Sequence, residues 1–74
     1  MIFHRVAEIR ARLEELNGQK INLEVQLHTA RENARLNPRF LIDTRGTQFE
    51  LDEVERQVFD LEEEARRLMF PGAA

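Results

Sequence analysis

Residues 36–50 read Leu-Asn-Pro-Arg-Phe-Leu-Ile-Asp-Thr-Arg-Gly-Thr-Gln-Phe-Glu, and the division of this stretch decides the fold. Pro38 disfavours helical backbone at Asn37 and clashes with the carbonyl four residues back, so a helix arriving from the N-terminal side ends there. Gly46 follows, and Thr47-Gln48-Phe49-Glu50 has the form of a capping box, in which the Thr hydroxyl accepts from the Glu backbone N–H while the Glu side chain reaches back. The spacing therefore predicts a first helix over about 2–36, a connector over 37–46, a second helix over about 47–70 stopped by Pro71-Gly72, and a tail over 71–74.

On either side of the break, apolar residues recur at intervals of four and three. The first segment carries Ile2, Val6, Ile9, Leu13, Leu16, Leu23, Leu27, Ala30 and Ala34, with Lys20 filling the one gap. The second carries Leu51, Val54, Val58, Leu61, Ala65 and Leu68. A repeat of seven keeps one narrow stripe on one face of each helix, the pattern of a coiled-coil seam. The expected fold is all-α: an antiparallel two-helix coiled-coil hairpin. Asn17-Gly18 is a turn signal inside the first segment, yet the seam stays in phase across it, which predicts one continuous helix.

The shortest workable register with a ten-residue connector pairs residues whose numbers sum to 81, placing Leu27 on Val54, Leu23 on Val58 and Leu13 on Leu68. A register shifted by one heptad is its main competitor, because a period of seven cannot distinguish the two. Under the first register Ile2, Phe3, Val6 and Ile9 project beyond the end of the second helix. Ile21, Val25, Phe49, Phe59 and Met69 lie off the seam. Uncovered side chains of this kind predict a homodimer, the two hairpins forming a four-helix bundle. The expected partner or dimer contacts are thus Ile2, Phe3, Val6, Ile9, Leu13, Ile21, Val25, Phe59 and Met69, with Arg5 and Arg10 as rim.

The connector holds Phe40-Leu41-Ile42 where polar turn residues are the rule. Packed down, they would form a lid over the closed end. Left out, they would form a sticky tip with Arg35, Arg39 and Arg45 around Phe40 and Leu41, since apolar anchors beside Arg are typical of binding hot spots. The lid is the expectation from loop composition alone.

A chain of 74 residues and 8.7 kDa without a single Cys has neither disulfides nor a thiolate metal cluster to reinforce it. Below roughly 70–80 residues such chains lean on regular helix packing or on oligomerisation. No run approaches the ~20 apolar residues of a membrane span and no signal-peptide pattern is present, which predicts a cytoplasmic protein without membrane attachment. The charge is uneven. Residues 1–42 hold seven basic and five acidic groups, whereas 43–74 hold four and nine, within an overall charge of −3.

The chemistry-bearing residues are few. Cys, Tyr, Trp and Ser are absent and no Gly-rich loop is present, so neither an enzyme nor a cofactor is expected. Glu24, His28 and Glu32 share one helix face but lack the Glu-x-x-His ligand pattern of helical di-metal bundles, so no metal is expected. His28, Arg31 and Arg35 form a basic row, and a dimeric hairpin bearing one resembles the plasmid copy-control hairpin proteins in architecture. That resemblance implies RNA or DNA binding through these three residues as the alternative function. The net negative charge argues against nucleic acid, because phosphate neutralisation needs surplus cations. The function expected from the residues is a non-enzymatic interaction module, an adaptor, assembly factor or small inhibitor that binds a larger protein.

Overall fold

The computed structural model describes residues 2–70, with the side chains of Phe40 and Asp43 outside that description, so the expected tail over 71–74 also lies outside it. Helix α1 spans Ile2–Leu36, a 3-10 turn spans Pro38–Phe40, and helix α2 spans Leu41–Met69. The molecule is a two-helix hairpin measuring 52 × 22 × 12 Å. At 1.5 Å per residue the 35 residues of α1 account for its length, and its thickness is that of one helix. Among the described residues nothing covers either broad side.

The break at Asn37-Pro38 falls as expected, and α1 runs through Asn17-Gly18 without interruption. Asn37 adopts φ −148° and ψ 110°, the extended backbone that a following Pro imposes. Its N–H donates to the Asn33 carbonyl at 2.9 Å, closing the last turn of α1. Its side-chain oxygen then accepts from the Arg39 N–H at 3.1 Å, and Pro38 occupies the first turn position, where its missing N–H costs nothing.

The second helix departs from expectation. It starts at Leu41, six residues before Thr47, so Thr47-Gln48-Phe49-Glu50 is helix interior and no capping box forms there. The Leu41 N–H donates to the Pro38 carbonyl, which hands the 3-10 turn directly to α2. Asn37-Pro38 thus ends one helix and caps the next, and the expected connector over 37–46 shrinks to residues 37–40. Gly46 is accommodated within α2.

An earlier start moves the whole of α2 along α1. Arg5 bonds Glu64 and Arg12 bonds Gln57, pairs with the same residue-number sum of 69, while Arg31 bonds Gln48 on the other flank. In an antiparallel heptad pair the flanking rows sit five positions below or above the seam layers, so these three contacts define seam layers that sum to 74, one heptad short of 81. Ile9 then faces Ala65, Leu13 faces Leu61, Leu16 faces Val58 and Leu23 faces Leu51. Burial agrees. Leu16, Leu23, Leu27, Leu51 and Val54 form the core cluster with Val58 and Leu61 against it, and Ile9 and Leu16 are each only 1% exposed. Lys20 lies half-buried over Val54, its stem replacing an apolar residue in the seam.

Candidate interaction surfaces

The shifted register corrects the expected open end. Ile9 is buried in the hairpin's own core, Val6 and Leu13 are half-buried, and Arg5 clasps α2, so the stripe from Val6 to Leu13 does not project past the second helix. Only Ile2 and Phe3 remain exposed there, Phe3 at 88%. Arg5 holds Glu64 through two bonds, Nε to Oε2 at 2.5 Å and Nη2 to Oε1 at 2.7 Å. These bonds, followed by the Coulombic attraction, hold the Glu64 carboxyl below its ordinary range. Arg5 also reaches Glu8 at 3.2 Å, and Glu8 meets His4 at 2.9 Å. Arg5 is therefore a clasp between the helices rather than a rim awaiting a partner. Arg10 is exposed, as is Met69 near the end of α2.

Along the rod, the remaining large apolar side chains sit away from the seam on the two outer edges. Ile21 and Val25 of α1 are 62% and 61% exposed; Phe49 and Phe59 of α2 are 67% and 63% exposed. The two pairs cannot share one contact, because each points away from the other helix. The opposite flanks carry polar residues: Arg12, Glu15, Asn22, Gln26 and Gln57 lie on one broad side. An edge, not a face, is the apolar surface this hairpin offers.

At the closed end the lid expectation fails for the residues whose side chains are described. Leu36, Leu41 and Ile42 are all exposed, because a four-residue connection leaves no loop long enough to fold them inward. Arg35, Arg39 and Arg45 are exposed around them. A shallow, open hollow of about 310 Å³ lies between Arg31, Ala34, Arg35, Leu41 and Thr44. Of the row proposed for nucleic acid, Arg31 donates to Gln48 at 3.2 Å and Arg35 meets Glu32 at 3.3 Å, while His28 is exposed. Two of its three members are therefore already engaged by acceptors of this chain. Among the described residues no three His, Asp or Glu side chains converge as a metal-ligand set, and no helix is long and apolar enough to cross a membrane. Comparison with protein-family models, with curated proteins and with solved structures finds no match.

The residues that sequence reasoning undervalued are Leu36 and Ile42. Their signal was the Asn37-Pro38 pair itself: read as a cap as well as a stop, it places both at helix ends facing solvent.

Proposed function

We propose that the chain is a non-enzymatic protein–protein interaction module of the cytoplasm, a helical hairpin that pairs with a second copy into a four-helix assembly and serves a larger protein as adaptor, assembly factor or small inhibitor. The observation that carries this reading is the exposure of Ile21, Val25, Phe49 and Phe59 on both edges of a rod one helix thick. Full burial of such a side chain contributes ~1.5–3 kcal/mol, a large quantity beside the ~3–5 kcal/mol that a core of this size supplies. Covering one edge with another copy leaves the second edge and the closed end for a different protein. There, Leu36 and Leu41 beside Arg35 and Arg39 have the composition of a binding tip.

A concentration series of backbone amide NMR spectra tests the proposal. Signals near the outer-edge residues should move or broaden from micromolar to millimolar protein, while those around Leu16 and Leu23 stay fixed. Spectra that superimpose across the whole range would remove the self-associating part of the reading.

A further inference from the structure

The row of α2 that faces away from α1 reads Ile42, Arg45, Phe49, Asp52, Arg56, Phe59, Glu63, Arg66, at alternating spacings of three and four. It is a second seam, exposed where the first is buried. Its order is nearly its own complement when reversed. Laid antiparallel on itself so that paired residue numbers sum to 108, the row places Phe49 on Phe59, Asp52 on Arg56 and Arg45 on Glu63, each pair occurring twice about a two-fold axis beside residue 54. Ile42 then lies along the stem of Arg66.

We propose that two copies of the chain associate through this row, α2 against α2 and antiparallel, with the Phe49–Phe59 pairs as anchors and the Asp52–Arg56 and Arg45–Glu63 pairs setting the register. The proposal rests on the reading that the chain self-associates and specifies where. Its main support is what the alternatives cost. Slipping one heptad to a sum of 101 puts Arg45 on Arg56, and slipping the other way to 115 puts Asp52 on Glu63. A parallel arrangement faces every charged residue of the row with its own copy. Like charges placed opposite one another act against a wrong register as effectively as attraction favours the right one.

Of the charged members, Arg45, Asp52, Arg56 and Arg66 are exposed and Glu63 is half-buried. Arg56 meets Glu53 at 2.7 Å, Asp52 accepts from Gln48 at 2.9 Å, and Glu63 pairs with Arg66. Exposed pairs of this kind exchange partners at little cost. Four phenylalanine rings, each more than three-fifths exposed in the single chain, would together bury roughly 400–650 Å², about a third of a standard interface of ~1,200–2,000 Å². On one flank of the row Glu53 faces Asp60 of the other copy, twice per dimer, and these like charges repel across the contact, so the dimer is a reversible one.

A charge exchange tests the row by sedimentation equilibrium of the full chain. Arg45→Glu alone and Glu63→Arg alone each place like charges together twice per dimer, and each should weaken the dissociation constant about tenfold or more. The double variant restores opposite charges and should return the constant to within a few-fold of the unsubstituted chain. Helix content followed in parallel by circular dichroism shows whether each hairpin is folded. To cover a fold-related loss, an equimolar mixture of Asp52→Cys and Arg56→Cys chains is oxidised and should yield far more crosslinked dimer than either alone. A dimer that the single exchanges leave intact, or that crosslinks no better in the mixture, overturns this interface while self-association stands. A chain that is monomeric throughout overturns both.

Discussion

Replacing Ile9 by Ala separates the two heptad registers. Under a sum of 81, Ile9 lies beyond α2 in solvent and its truncation is nearly silent. In the structure it is 1% exposed and lies opposite Ala65. Removing its three outer carbons forfeits ~0.8 kcal/mol each in transfer free energy, and the small Ala65 cannot swell to fill the space, so a cavity term adds to the loss. The expected destabilisation is ~2–4 kcal/mol, within the range for buried Ile-to-Ala changes. In a chain of this size that amounts to a fall of about 10 °C or more in melting temperature. The assay is urea or thermal unfolding by far-UV circular dichroism, at one protein concentration because association shifts the midpoint. Ile2→Ala, more than half exposed in the same stripe, serves as the reference and should lose less than about 1 kcal/mol. Equal, small losses for the two variants would refute the register.

Three further outcomes follow from single residues. Gly46→Ala should raise stability by ~0.5–1 kcal/mol, since Gly46 lies inside α2 and an added Cβ meets nothing within 4 Å; no gain on unfolding would mean that the helix starts later. Asn37→Ala removes the side-chain acceptor for the Arg39 N–H and should cost ~1 kcal/mol, measured the same way against Asn37→Asp, which keeps an acceptor. Because Glu64 has its carboxyl lowered on folding, its contribution is fully present above the unfolded carboxylate range and is lost as pH falls through the folded value. Glu64→Gln should therefore flatten the acid limb of stability against pH, and an unchanged limb would contradict the Arg5–Glu64 clasp.

The helical hairpin and the seam were legible in the sequence because a period of seven, held from Ile2 to Leu27 and again from Leu51 to Leu68, leaves few other foldings. Its register was not, and the reason is chemical. Asn37-Pro38 carries two signals at once, a stop for the helix before it and a cap for the helix after it. The capping-box form of Thr47-Gln48-Phe49-Glu50 is a competing start, and it hid the second signal. Thr44 and Thr47 continue the seam as half-buried, β-branched residues that an apolar tally passes over. Six residues of helix gained at that point shifted the layers by a heptad and drew Ile9 inside. The off-seam residues, Ile21 and Phe59 among them, were legible as well, because the seam positions are the same in either register.

The claim on which the functional account turns is that this rod does not remain alone. The molar mass of the unsubstituted chain in solution, measured by light scattering over a dilution series, addresses it most directly. The account predicts a mass that approaches twice 8.7 kDa at high concentration and falls toward 8.7 kDa on dilution. A constant 8.7 kDa at every concentration, from a chain that still unfolds cooperatively, would contradict it.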